Sequence, residues 1–319
     1  MSGAWVMVPT AAQPRLEPAV AAIVQRLAAR PVVAVGEVHW LRQGMDLVLA
    51  LAANPVFRRI ADGIVVEFGA TVHQELIDRY VAGEPLTHPI ESVWRDTVGG
   101  WGSGVWESPI YRTFYNRIRT LNQAMPDHSL RIWLGDAARP ARASAVWPDR
   151  DAHMAKVVEQ AAFAENQRVV VLAGPAHLTR IGDLAPPQHT TVQLLEARHP
   201  GAIDVLLPLL VWDDVRAGRP DDAATVDHLT AAWPAPVVAQ IADSWLARLD
   251  GRLLLGDVAY ARVPGQGHVA VPLRFYNRSG AEVRDLPLEA LADAIIYFGP
   301  ASSLEYVHPV QDAAPPSSG

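Results

Sequence analysis

The chain has 319 residues, half of them hydrophobic and 19% charged, which supports a substantial core and excludes global disorder. The formal charge is −7, so neither nucleic acid nor an anionic membrane is an expected partner. Cysteine is absent, which excludes disulfides, thiolate metal sites, iron–sulfur clusters and thiol nucleophiles, and leaves His, Asp and Glu as metal ligands.

Lys156 is the only lysine, so a Gly-Lys phosphate loop is excluded as well. The start, MSGAWVMVPTAAQPRLEP, lacks a basic stretch followed by a long apolar one, and a secretory signal is not expected. The apolar run at 205–212 is broken by Pro208 and is too short to cross a bilayer. The expectation is a cytoplasmic protein with a small-molecule or peptide substrate.

Apolar residues at helical spacing predict a helix over 16–29, followed by a buried strand at 32–35 (VVAV). A second helix over 41–53 stops before Pro55, because the residue preceding proline disfavours the α region. A strand at 64–68 and a helix over 72–82, closed by Gly83, come next. Residues 85–125 read as a helical insertion. A tryptophan-rich glycine loop holding Trp94, Trp101 and Trp106 is expected to act as a lid, and a helix carries Tyr111, Phe114 and Tyr115.

Strands at 131–136 and 168–174 flank a helix over 150–164. Further strands are expected at 192–195 and 203–210, an antiparallel pair at 256–263 and 269–276, and a last buried strand at 293–298. Alternating strands and helices imply an α/β fold with a mostly parallel central sheet flanked by helices. We expect a single domain over 1–310 and a disordered tail at 311–319.

The informative pattern lies at the strand ends. VVAV leads into Gly36-Glu37-Val38-His39, IVV into Glu67, RIWL into Gly135-Asp136, and VVVLA into Gly174-Pro175-Ala176-His177. In an open parallel sheet the carboxyl ends of the strands line one crevice, where ligands bind. Parallel strands would therefore bring Glu37, His39, Glu67, Asp136 and His177 to one sheet edge. Two imidazoles and two carboxylates could hold zinc, manganese or iron, with Glu37, His39, Glu67 and His177 as ligands. Without metal, the same set could run general-base hydrolysis.

Other residues fall into supporting places. Arg150 could bind a substrate anion or pair with Glu67 or Asp136. Trp40, Trp101 and Trp106 could contact substrate. Asp136 fits a helix cap or loop charge, and Asp151 fits an acid at a helix start. His153 reads as surface or supporting. The remaining histidines stand in no ligand spacing and read as mostly solvated. Ser103 between glycines has no strand before it, so no nucleophile elbow is formed.

GEVH, VVEF, LNQAMPDHSLRIWLGD, RDAHMAKVV and VVVLAGPAH occur here in the order that resembles the erythromycin esterase/ChaN-like superfamily, to which Tiki and TraB proteins are related. DAIIYFGPAS resembles its last strand. The resemblance implies an α/β sheet with its crevice at the strand ends, and hydrolysis by Glu37, His39, Glu67 and His177. In the Tiki-like branch it implies a metal-dependent protease. In the ChaN branch it implies haem, for which Tyr111, Tyr115 or a loop histidine would be the axial ligand. The close Glu37–His39 spacing is nearer the ChaN side, whereas Trp40-Leu41 after the histidine is not. The substrate is inherited from neither branch, and a biosynthetic tailoring reaction at the same site is a further alternative.

Overall fold

The computed structural model describes residues 12–86, 89–100, 104–140, 148–183, 187–256, 258–263 and 267–309. His88, Trp101, Ser103 and the expected tail at 311–319 lie outside the described residues.

The main sheet has eight strands. In chain order they are β1 (Leu16–Pro18), β2 (Val32–Gly36), β3 (Gly63–Ala70), β4 (Arg131–Asp136), β5 (Val169–Ala173), β6 (Ile203–Pro208) and β7 (Val237–Gln240). A hairpin of β8 (Val258–Val263) and β9 (Gly267–Pro272) and a short pair, β10 (Phe275–Tyr276) and β11 (Glu282–Val283), lie outside it; β12 (Ala294–Tyr297) completes it. The spatial order is β1-β7-β12-β6-β2-β5-β3-β4. From β12 to β4 every neighbour is parallel, and β7 and β1 add an antiparallel edge. The fold is α/β, with helices on both faces of a mostly parallel sheet.

Strands buried on both faces explain the near-continuous valine and isoleucine runs. Val33, Val35, Ile64, Val66 and Phe68 face one core layer, while Val32, Ala34, Val65 and Trp133 face the other. The four strands that end in chemistry-bearing residues are consecutive neighbours, β2-β5-β3-β4. Their carboxyl ends therefore open onto one edge.

Strand β3 breaks register with β4 between Val66 and Ala70, a bulge that contains Glu67. A Cβ on Gly69 would come within 2.4 Å of the end of the Leu134 side chain and 3.0 Å of the Tyr115 hydroxyl, so a larger residue there would push both aside. The Tyr115 hydroxyl donates to the Phe68 carbonyl at 2.9 Å and satisfies a group the bulge leaves unpaired.

Three expectations are corrected. Residues 16–18 are not helical: they pair with β7, and the helix begins only at Ala19, after Pro18. Residues 192–195 lie in the helix Thr191–Arg198, because a capping box of Thr190 and Gln193 starts a helix where the apolar run alone suggests a strand. The helix at 150–164 is α-helical only to Val158 and π-helical from Glu159 to Ala164. Among the described residues no helix is long and apolar enough to cross a membrane.

Candidate active site

Glu37 leaves β2 with its backbone N–H still paired to the Ala173 carbonyl of β5 at 2.8 Å. The chain then turns sharply through Val38 and His39 to Trp40, whose φ of 68° lies in the left-handed region. An aromatic residue there is strained, and tertiary contacts hold it. The Trp40 indole N–H donates to the Val105 carbonyl at 2.6 Å, and its own carbonyl accepts from Val307 N–H at 2.8 Å.

At the start of this turn the His39 ring faces Glu37, whose Oε2 lies 2.6 Å from His39 Nδ1. A carboxylate at Nδ1 keeps the proton there in the neutral ring and leaves the Nε2 lone pair facing outward. Burial disfavours the charged imidazole, but the Glu37 carboxylate outweighs it and raises the His39 pKa above its ordinary value. The other Glu37 oxygen accepts from the Tyr111 hydroxyl at 3.2 Å. Burial, reinforced by Glu37, raises the Tyr111 pKa well above the ordinary range, so the phenol stays a donor.

Beneath this pair lies a buried ionic network. Glu67 Oε2 accepts from Gly174 N–H at 2.6 Å, and Oε1 accepts from Arg150 Nη2 at 2.6 Å. His177 sits between two carboxylates, with Nε2 3.4 Å from Glu67 and Nδ1 2.9 Å from Asp151. Asp151 is held in turn by the Thr191 N–H at 2.8 Å and hydroxyl at 2.9 Å. Burial opposes ionisation of His177, but Glu67 and Asp151 overcome it and push the pKa up to about 10. Burial would likewise raise Glu67, yet His177 and Arg150 hold it well below the usual carboxylate range. A Cβ on Gly174 would meet Glu67, His177 and His39 within 3.7 Å, so the three side chains converge on one point.

Asp136 and Asp151 both prove to be more than cap residues. Asp136 is fully buried and receives Arg150 Nε at 3.0 Å, Arg150 Nη2 at 3.1 Å and Gly99 N–H at 3.0 Å. The helix cap is Asp149, which frees Asp151 for His177. Arg150 thus spends Nε and Nη2 on Glu67 and Asp136, and is mainly an internal counter-ion. His153 pairs with the Thr71 hydroxyl at 3.0 Å, outside the centre.

A cleft of about 760 Å³ opens above the network, and Glu37, His39, Glu67, Arg150 and His177 line its floor. Trp40 lines it as expected. Trp106, expected to touch substrate, is instead buried in the core, edge-on to His39 with ring centroids 4.7 Å apart. Trp94 is buried too, stacked on Tyr115. Tyr111 and Tyr115 are fully buried, which removes both as exposed haem ligands.

Among the described residues no three His, Asp or Glu side chains are grouped to hold a metal ion. The expected set of Glu37, His39, Glu67 and His177 does not fit one, for a reason visible in its bonds. Both His177 nitrogens face carboxylates, and Glu67 is committed to a guanidinium and a backbone amide. A metal would have to displace Arg150 and take a proton from His177.

Three features, two of the site and one of the sheet, are not legible in the sequence. Tyr111 reads there only as a possible haem ligand, and its hydroxyl comes from a helix distant in sequence from the crevice motifs. The 301–308 segment reaches back over the cleft through Ala301, Leu304, Tyr306 and His308, although His308 reads as merely solvated. Strand β7 has no strong apolar alternation to announce it.

No protein-family model and no curated protein sequence matches the chain. A Bacillus cereus protein of solved structure is 10% identical, with a TM-score of 0.57 over 95% of this chain and 98% of that one. An erythromycin esterase in its open conformation is 10% identical, with a TM-score of 0.46 over 87% of this chain and 92% of that one. The haem-binding ChaN of Campylobacter jejuni is 12% identical, with a TM-score of 0.36 over 61% of this chain and 88% of that one. At 10% identity the likeness to the Bacillus cereus protein is one of fold.

Proposed function

We propose that this protein is a hydrolase that opens an ester, lactone or amide bond in a small natural product or peptide. The observation that carries this reading is the Glu37–His39 pair, joined at 2.6 Å, with its outer imidazole nitrogen facing a cleft. Glu37 fixes the tautomer and stabilises the imidazolium that forms during reaction. His39 Nε2 takes a proton from water, and the resulting hydroxide adds to the carbonyl carbon. Collapse of the tetrahedral adduct expels the alcohol or amine, which recovers the proton from His39.

His177 and Arg150 lie below the reacting carbonyl in a network whose carboxylates already neutralise them. Those fixed ion pairs keep the cleft floor rigid beneath the Glu37–His39 pair, so the base and the attacked carbonyl are positioned without reorganisation of the site. The order of strand-end motifs, which resembles the erythromycin esterase/ChaN-like superfamily, supports the same chemistry.

A panel of esters, lactones and amides tests the reading with wild-type protein and His39→Ala. Turnover by the wild type, lost in a variant with an unchanged circular dichroism spectrum, is the expected result. No turnover of any bond class by the wild type would overturn it.

A further inference from the structure

The floor of the cleft is ionic, but its mouth is aromatic. Trp40, Trp212, Tyr306 and His308 all line it. The His308 ring lies 5.2 Å from Trp40 and 6.2 Å from Tyr306, centroid to centroid. Among the most exposed large hydrophobic side chains of the described residues, the two aromatic ones, Trp212 and Tyr306, both belong to this mouth.

These rings are held in place. The Trp212 indole N–H donates to the Leu254 carbonyl at 3.1 Å, and the Trp40 indole to Val105. Arg42 N–H donates to the Glu305 carbonyl at 2.8 Å, and Val307 N–H to Trp40, so the segment carrying Tyr306 and His308 is tied down on both sides. With their polar ends engaged in the fold, the two indoles leave mainly π-surface for a ligand.

One carboxylate stands beside the rings. Asp214 turns its carboxylate to its own helix and accepts from Val215 N–H at 2.9 Å. Its neighbour Asp213 makes no ion pair among the described residues, is exposed, and lines the cleft next to Trp212. Burial and the nearby Asp213 raise the Tyr306 pKa, which puts the carboxylate within electrostatic reach of that ring. Deeper in, Arg150 lines the cleft but is consumed by Glu67 and Asp136. The mouth therefore presents π-faces and an exposed carboxylate, whose field also reaches Arg216 without forming an ion pair with it, and π-faces beside a carboxylate favour a poorly hydrated organic cation over an anion.

We propose that this mouth binds an organic ammonium group through Trp40, Trp212, Tyr306 and Asp213, so that the substrate is a cationic ester, lactone or amide whose acyl carbon reaches His39. The substrate class rests on the hydrolase reading above; the cation site itself does not.

The test compares choline with neohexyl alcohol, its uncharged isostere with carbon in place of the quaternary nitrogen. Binding is followed by tryptophan fluorescence and calorimetry, and hydrolysis with the acetate ester of each. Choline should bind roughly five- to thirtyfold more tightly than the neutral alcohol. Asp213→Asn and, separately, Tyr306→Leu should move that ratio toward one; both side chains are exposed, so the fold is retained. Equal affinity for the two alcohols, or an unchanged ratio in Asp213→Asn, would overturn the cation site. Preferential choline binding without hydrolysis of either ester supports the cation site and counts against the hydrolase reading. Hydrolysis of both esters without preference supports the hydrolase reading and removes the cation site.

Discussion

Glu37 and His39, two positions apart in sequence, face each other at 2.6 Å where the chain leaves β2 and enters the Val38–Leu41 turn that carries the left-handed Trp40. In an extended strand, residues i and i+2 lie on the same face, but their side chains project in parallel and do not meet head-on. The turn after β2 is what converts a strand end into an acid–base pair. In His39→Ala the base is gone, and turnover should fall by about 10²–10⁴-fold. Glu37→Gln should lower kcat and shift the pH–rate profile to lower pH, since the carboxylate is what raises the His39 pKa. Activity in the wild type should rise as pH increases through that raised pKa, because only neutral His39 accepts a proton. A profile unchanged in Glu37→Gln would show that the pair does not titrate as a unit.

Tyr111 acts on this pair from behind. Tyr111→Phe keeps the buried ring and removes only the hydrogen bond to Glu37. Losing one such bond costs about 1 kcal/mol, equivalent to roughly a fivefold fall in kcat if it is made fully in the transition state. KM should be unchanged, because Tyr111 does not line the cleft. Steady-state kinetics alongside the melting temperature separate this from a general loosening of the core.

His177 makes stability depend on pH in a stated direction. Its folded pKa, about 10, lies above the ordinary 6.5, so the charged ring stabilises the fold fully below pH 6.5. That contribution declines as pH rises from there and is gone above about 10. Asp151→Asn removes one of the two carboxylates facing the ring. Its alkaline unfolding should therefore begin at lower pH than in the wild type. Melting curves between pH 6 and pH 10.5, about half a unit apart, check this; identical alkaline limbs would show that His177 is not charged in the native state.

Arg150 is the counter-ion for Glu67 and Asp136, both almost fully buried. Arg150→Met leaves carboxylates without that partner and should destabilise the fold by about 3–5 kcal/mol. Arg150→Lys restores the charge but not the fork that spans both acids, so it should recover only part of the loss. Urea unfolding measures both variants. A near-neutral Arg150→Met would mean that the network is solvated enough to tolerate an unpaired acid.

Much of this architecture is legible from residues alone. Runs such as VVAV and VVVLA are short, rich in β-branched valine and bounded by glycine or proline, which suits strands buried on both faces. Glu37, His39 and His177 follow the points where the backbone leaves the sheet, whereas Glu67 sits in a bulge inside β3 and Asp136 is the last residue of β4. Helix 191–198 is ambiguous in sequence because VQLL suits a buried strand as well as a helix face, and only the Thr190–Gln193 cap settles the matter. Segment 16–18 is hidden for a different reason: its partner, β7, lies far along the chain.

The sequence by itself determined the parallel part of the sheet and the set of ionisable groups at its edge, since these depend on local hydrophobic pattern and strand direction, whereas the antiparallel edge of β7 and β1 came only with the tertiary structure. Tertiary structure alone decided who pairs with whom. Asp151 reaches His177 across 26 residues, Tyr111 reaches Glu37 across 74, and Arg150 reaches Glu67 across 83. The same is true of the aromatic mouth, which exists because the 301–308 segment returns over the turn at Trp40. Local pattern reports whether a side chain is buried. Which charge neutralises it depends on how distant elements cross, and a buried ion is stable only once that crossing supplies a partner.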